Sequence, residues 1–406
     1  MSVFYLIFIA LSAYYSFRYD SIEEYNPHKQ HRLWLMCGYL ICLSGFSYGL
    51  GADKFTYMIE FEDYPNDFSD TADFILYRLM LKGQMPLWTI VNLFCKTVFN
   101  SFYAVQFLES AAINITVCYL ASKYTHRYFL FLLVYFFSLQ YFIFNTEVMR
   151  EGFALAFVLL GIDRYIQGKR WIFFLMLIIG LMFHISAAIA LLVLFTRFPI
   201  SISWKTLTYS FLIAFFIWLL SDLVLSKIVL YALEGMGAFV EKIIFYSFQA
   251  VNIFGFLRYA LTYLIIPFII MYSVIQLEQS EQRRVFKERW TVFMIPLGII
   301  ASSAPGFIRF YNYVEIIYLI MLTDFIATLI RYKEHLLIRL GAMAWTLLIL
   351  FVLYFGHYNS TDTYFYNFFY PYTCILDEDD SVYFRETAHQ EALSLDVQDD
   401  NVRDVK

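Results

Sequence analysis

What most constrains this chain is a series of apolar runs, each about as long as a bilayer is thick. A spanning helix needs about 20 predominantly apolar residues. Runs of that kind occupy residues 2–17, 33–50, 102–120, 128–144, 148–166, 171–195, 207–225, 254–275, 290–304, 307–330 and 336–355. A shorter run, Pro86–Phe99, reads as an interfacial or re-entrant helix. Only 16% of the 406 residues are charged, against about 25% in an ordinary soluble domain. The chain therefore reads as an all-α polytopic integral membrane protein, with roughly 11–12 transmembrane helices and amphipathic segments outside. The first run has no basic leader and no small-residue cleavage site, so it reads as a retained span. Residues 1–357 form one polytopic domain in this reading, 358–376 a Tyr/Pro-rich closing segment, and 377–406 an acidic tail too poor in apolar residues to fold.

Basic residues in short loops set orientation. Clusters at 18–32, 123–127, 164–170, 197–205, 283–289 and 331–339 face the cytoplasm. The complementary loops, 51–85, 145–151, 228–253 and 303–306, and the segment after Gly356, are then outside. Run 171–195 has basic residues at both ends and breaks the alternation. Its only polar interruption is His184-Ile185-Ser186, so a broken element is expected there, facing an aqueous cavity. Segments 71–85 and 238–253 are expected to lie flat on the bilayer and cover such a cavity.

Against that topology, some charges stand where charges are expensive. Arg150, Arg258 and Arg309 each lie within a turn or so of an outside loop. Guanidinium offers a rigid fork of donors matched to phosphate and keeps its charge in any environment. Three of them at one membrane face suggest an anion such as a diphosphate. The bland alternative pairs Arg150 with Glu147 or Glu151, Arg258 with Glu241, and Arg309 with Glu315.

Asp53 begins the loop after the second run, two residues past Gly51. It can bind a sugar hydroxyl, orient an arginine, or simply cap a helix. His184 is the side chain best placed to exchange a proton near neutral pH. Tyr57, Tyr313, Tyr370 and Tyr372 offer rings that suit sugar faces, though tyrosines also gather at membrane interfaces. Arg309 and Tyr313 are four apart and share a face if that segment is α-helical. Glu109 and Asp222 are further acids at membrane depth, without an evident site. The five cysteines have no metal or disulfide spacing and read as core residues. A net charge of −5 with no basic aromatic patch does not suggest nucleic acid. No Walker A, GxSxG or HExxH motif and no acidic metal cluster is present.

Several of these motifs stand in one order: Gly51-x-Asp53-x-x-x-Tyr57, then Arg150-Glu151-Gly152-Phe153-Ala154-Leu155-Ala156, then Phe183-His184-Ile185-Ser186-Ala187-Ala188, then Arg309-x-x-x-Tyr313 and Tyr370-Pro371-Tyr372. The ordered set resembles the EpsG family of bacterial exopolysaccharide and capsule polymerases, a branch of the Wzy-type O-antigen polymerases. The likeness covers about residues 1–375. Two departures are Glu151, where a neutral residue is expected, and the long acidic tail.

The resemblance implies a GT-C-like Wzy architecture in the bacterial cytoplasmic membrane, with its active site facing the periplasm or outside. It implies a metal-independent glycosyltransferase without a cofactor, acting on undecaprenyl-diphosphate-linked glycans. A flippase and a chain-length regulator are the implied partners. Arg150, Arg258 and Arg309 would hold the diphosphate. His184, then Asp53, then Glu147 are the candidate bases. Two other classes fit parts of the pattern. An O-antigen ligase or other lipid-linked glycan transferase shares the active-site needs, but the short 303–306 loop counts against it. A flippase or transporter would place its polar groups near the midplane and show repeats.

Overall fold

A computed structural model of the chain describes residues 3–138, 140–198, 200–220, 252–331 and 372–376. Among these residues there is no β-strand, only an isolated bridge between Ser47 and Cys374. The helices are α1 (Val3–Tyr19), α2 (Pro27–Gly45), α3 (Ala52–Glu62), α4 (Thr71–Lys82), α5 (Pro86–Phe99), α6 (Phe102–Tyr124), α7 (Tyr128–Phe137), α8 (Gln140–Phe142), α9 (Met149–Ile166), α10 (Arg170–Phe183), α11 (Trp204–Leu220), α12 (Ile253–Ala260), α13 (Ile266–Leu277), α14 (Glu281–Ser303) and α15 (Asn312–Arg331). Two π-helical turns, Ile143–Glu147 and Leu261–Ile265, and two 3₁₀ segments, Ile185–Arg197 and Pro305–Tyr311, interrupt them.

Three helical stretches are long and apolar enough to cross a bilayer unaided: Phe102–Tyr124, Ile253–Leu277 and Gly306–Leu329. Tyr128–Phe137 and Gln140–Glu147 make a fourth if counted as one span, bent by 79°. Five further apolar helices have 10–17 residues. The expected 11–12 spans are thus not met by unbroken helices among the described residues. The reason is local: run 128–144 is bent, run 171–195 is divided at His184, and α2 and α14 begin on charged turns. Run 336–355, nearly all of segment 238–253, Asp222 and Tyr370 lie outside the described residues. So do most of segment 358–376 and the tail.

Helix ends follow local chemistry. Pro27 and Pro86 open α2 and α5 at positions where a missing N–H costs nothing. The Asn26 side chain accepts from Lys29 N–H at 3.1 Å and caps α2. α7 has no cap of its own. Asp20, buried at the end of α1, accepts from Phe129 N–H at 3.3 Å and Leu130 N–H at 2.8 Å. α4 ends on Gly83 in the left-handed region (φ 60°), which glycine adopts without steric cost.

The chain divides into two compact units. One comprises Met1–Phe157, Leu175–Ala187 and the described residues of Met343–Lys406; the other comprises Val158–Phe174 and Ala188–Ala342. In the first, α2 packs along α6, α1 on α7, and α5 on α6. The core there is aromatic and aliphatic, with Tyr5, Phe8, Leu40, Phe129, Phe136 and Tyr141 almost fully buried. Residues 372–376 return to the end of α2. Tyr48 N–H donates to Thr373 O at 2.9 Å and Ile375 N–H to Phe46 O at 3.0 Å. Tyr372 packs edge-on against Tyr5, ring centroids 5.3 Å apart. In the second unit, α14 packs against α11, α12 and the Pro305–Tyr311 segment, and α13 packs on α15.

Candidate functional site

The first unit gathers the strongest group of candidate site residues around Arg150. α3 begins at Gly51, whose φ of 93° lies in the region reserved for glycine. A Cβ on Gly51 would sit 2.5 Å from Thr146 O. The π turn Ile143–Glu147 is therefore pressed backbone-to-backbone against the start of α3. On another side, a Cβ on Gly152 would meet Phe144 O at 2.6 Å, and would also collide with a Glu109 carboxylate oxygen. Two glycines thus clamp the π turn that leads into Arg150.

This clamp carries a prediction. Gly152→Ala forces a methyl into backbone and carboxylate, and overpacking of this kind costs about 1–3 kcal/mol. The detergent-solubilised variant is expected to melt earlier than wild type. An unchanged melting temperature would show that the close approach is not needed.

With the clamp in place, one face of α3 meets Arg150. Asp53, Tyr57 and Glu60 stand four and three residues apart, hence on one helical face. The Arg150 guanidinium carbon lies 5.4 Å from the Tyr57 ring centre, a cation–π distance. Asp53 and Glu60 both act electrostatically on Tyr57 together with Arg150. Burial pushes the Tyr57 hydroxyl up to about 12, with the Arg150 charge pulling the other way. Arg150 is half-buried, and its Nε has no hydrogen-bond partner among the described residues. An unpaired buried donor costs on the order of 1–3 kcal/mol.

An aromatic series continues from Tyr57. Its ring centre lies 5.5 Å from that of Trp88, and Trp88 lies 6.3 Å from Phe153. Phe153 stacks on Phe183 at 4.7 Å and 5°. α10 stops at Phe183, and His184 sits at the junction with the 3₁₀ segment that follows, so the run breaks where its polar tripeptide stands. His184 Nδ1 lies 2.6 Å from Ser186 Oγ and accepts from Ser186 N–H at 3.3 Å. With Nδ1 accepting, the neutral ring carries its proton on Nε2.

Beneath the site lies a buried polar network. Ser44 Oγ and Asn114 Nδ2 donate to Asn145 Oδ1 at 3.0 and 2.6 Å. Gln106 Nε2 donates to Gly45 O at 3.1 Å and Ser47 O at 2.9 Å. Lys54, fully buried, donates to Ser47 Oγ at 2.9 Å. Glu109 is also fully buried, with neither carboxylate oxygen hydrogen-bonded and Lys54 as its nearby positive charge.

Two residues absent from the sequence reading belong to this side of the unit. Arg78 of α4 is 1% exposed. Its guanidinium lies 4.5 Å from the Tyr64 ring centre and 5.3 Å from that of Phe74. Glu60, half-buried, accepts from Gln84 Nε2 at 2.7 Å. Neither had a sequence signal beyond its charge. Around the buried Arg78, α4 exposes Leu76, Tyr77, Met80 and Leu81.

Other expected site residues stand differently. Glu147 ends the π turn three residues before Arg150. Arg258 and Arg309 belong to the second unit and are exposed. Arg258 acts on Tyr263, as does Glu315. Tyr263 in turn meets Tyr311 edge-on at 5.2 Å. Arg309 and Tyr313 do not share a face. The segment to Tyr311 is 3₁₀, which changes the register, and Tyr313 is fully buried while Arg309 is exposed. Tyr372 is spent partly on Phe4 and Tyr5. No group of three or more His, Cys, Asp or Glu side chains is arranged for a metal among the described residues.

No curated protein and no solved structure matches the chain. A family model does: the EpsG family model matches residues 33–374, from within α2 to the strand-like bridge at Cys374. That span takes in every element of the Arg150 site, and the chain belongs to the EpsG family.

Proposed function

We propose that this protein polymerises undecaprenyl-diphosphate-linked oligosaccharide repeat units into capsular polysaccharide, exopolysaccharide or O-antigen, at the outer face of the bacterial cytoplasmic membrane. Membership of the EpsG family supports the coarser statement, an exopolysaccharide-associated, polymerase-like function, and the apolar helices support a membrane location. The observation that carries the finer reading is Arg150: a half-buried guanidinium, seated on the Tyr57 ring, with an unpaired Nε.

The chemistry asks for such a group. In the reaction a glycan hydroxyl attacks the anomeric carbon of a second, lipid-linked glycan. The bond from that carbon to the diphosphate breaks, and the diphosphate leaves with the electron pair. Its negative charge grows as the bond breaks, and a preorganised donor aimed at that charge lowers the barrier. Arg150 supplies this without metal. Arg258 and Arg309 are further candidates for phosphate binding, each tested by its alanine variant.

The experiment is the purified protein in proteoliposomes, given lipid-linked repeat units. A ladder of lengthened glycans, persisting in EDTA, is the expected result. Transfer to a different acceptor without a ladder would favour a ligase. Movement of single units across the bilayer without new glycosidic bonds would favour a flippase. Loss of the ladder in EDTA would overturn metal independence.

A further inference from the structure

In the first unit a buried relay of polar side chains, Tyr64 to Gln84, leads to the half-exposed carboxylate of Glu60, and buried Arg78 holds the backbone of the same residue. Gln84 is 1% exposed, Arg78 1% and Tyr64 3%. Burying polar groups costs free energy unless they are hydrogen-bonded, so the use made of these bonds is informative. Tyr64 OH donates to Gln84 Oε1 at 2.9 Å. Gln84 Nε2 donates to Glu60 Oε2 at 2.7 Å. Arg78 Nη2 donates to the Glu60 carbonyl at 3.2 Å. The turn at Gly83 sets this up, because Gln84 N–H closes on Arg78 O at 3.1 Å and delivers both residues to the same place. Gln84 is the side chain that reaches the Glu60 carboxylate, while Arg78 also pairs with Asp63 at 3.7 Å. Of the two Glu60 carboxylate oxygens, Oε2 is the one that Gln84 holds.

Glu60 stands on the face of α3 that carries Asp53 and Tyr57, and Tyr64 feels Arg78, Glu60 and Arg150 together. The carboxylate is thus held rigidly beside the arginine that takes the diphosphate in the reading above. The buried Gln84, itself fixed by Tyr64, aims this carboxylate. His184 Nδ1 is engaged by the Ser186 hydroxyl and N–H. A glycan hydroxyl that attacks carbon must lose its proton within hydrogen-bond reach of a base.

We propose that Glu60 is the carboxylate that binds the attacking glycan hydroxyl and receives its proton, and that Gln84, Tyr64 and Arg78 are positioning residues for it; this rests on the polymerase reading. As the new C–O bond forms, the hydroxyl proton passes to Glu60 Oε1. The anomeric C–O bond to the diphosphate breaks, and its electron pair leaves with the diphosphate. Glu60, now a carboxylic acid, returns its proton to water before the next cycle.

The test uses the full-length protein in proteoliposomes with lipid-linked repeat units. Glu60→Gln keeps an oxygen for Gln84 to bond but removes the base. It is expected to lower kcat on the order of 10²-fold while leaving KM for the repeat unit near its wild-type value. Glu60→Asp restores part of the rate. Gln84→Leu, which frees the carboxylate without removing it, lowers kcat by roughly tenfold. A Glu60→Gln protein that polymerises like wild type overturns the proposal. So does one that loses only folded yield or only KM. If Glu60→Gln fails these expectations while wild type makes a ladder, the polymerase reading stands and Glu60 is excluded. If wild type itself makes none, both readings fall together.

Discussion

Arg150→Ala is expected to leave single repeat units on the lipid carrier, with the variant present in the membrane at its normal level. Removing one preorganised donor from a developing oxyanion typically costs on the order of 10²–10³ in rate. The Arg150 geometry fits that role, because the Tyr57 ring fixes the guanidinium and leaves Nε unpaired. Arg150→Lys keeps the charge but loses the planar fork, so it should recover only a small part of the activity. The measurement is the length distribution of carrier-linked glycan in cells. Unchanged long polymer in Arg150→Ala would make Arg150 structural. Single units trapped on the inner leaflet would point instead to transport.

The largest stability effect is expected in the second unit, at Lys287. This lysine is 3% exposed and donates to Glu278 Oε2 and Asp324 Oδ2, both at 2.8 Å. It ties the end of α13 and the first turns of α14 to α15. Breaking a buried pair costs about 3–5 kcal/mol, because a charge is left behind. Lys287→Met leaves two carboxylates, 14% and 17% exposed, and partial exposure places the expected loss near the low end, about 3 kcal/mol.

The same cluster makes a pH prediction. Burial works against the Glu278 charge, but the hydrogen bond and charge of Lys287, with the Ser280 amide and Arg283, outweigh it and hold the carboxyl below its ordinary value. A depressed carboxylate contributes stability above its unfolded value, and that contribution is lost as pH falls through the folded one. The wild-type protein should therefore lose this increment in acid below about pH 4. Lys287→Met should show a flatter acid limb in thermal melts. Equal acid sensitivity in both proteins would show that the cluster does not control it.

How much of this was legible in the sequence differs from residue to residue. The limits of Pro86–Phe99 follow from a proline at the start and a change of composition at the end. The break at His184 follows from one polar tripeptide in an apolar run. Arg150, Asp53 and Tyr57 stood out as charge and motif, and the helical spacing of the last two is enough to put them on one face.

Other features depend on tertiary packing that periodicity does not encode. Arg78 lies in a segment read only as amphipathic, and its burial depends on contacts with Tyr64 and Phe74. Glu60 depends on Gln84, 24 residues away. Arg309 and Tyr313 were separated by a 3₁₀ turn that the i, i+4 rule cannot foresee. The π turn Ile143–Glu147 lies at the end of a run that read as one continuous span, in a pair of helices bent by 79°. Glu109, which had no evident site, lies against Gly152 because two backbones meet there.

The two glycines on the Ile143–Glu147 turn have a consequence for genetics. A screen for loss of polysaccharide would return Gly51 and Gly152 beside Arg150, and the three phenotypes would look alike on a plate. Their causes differ. The glycine variants fail because a methyl group has no room, whereas the arginine variant removes a charge from a scaffold that still folds. Only a screen that scores protein abundance together with polymer separates the residues that build the pocket from those that use it.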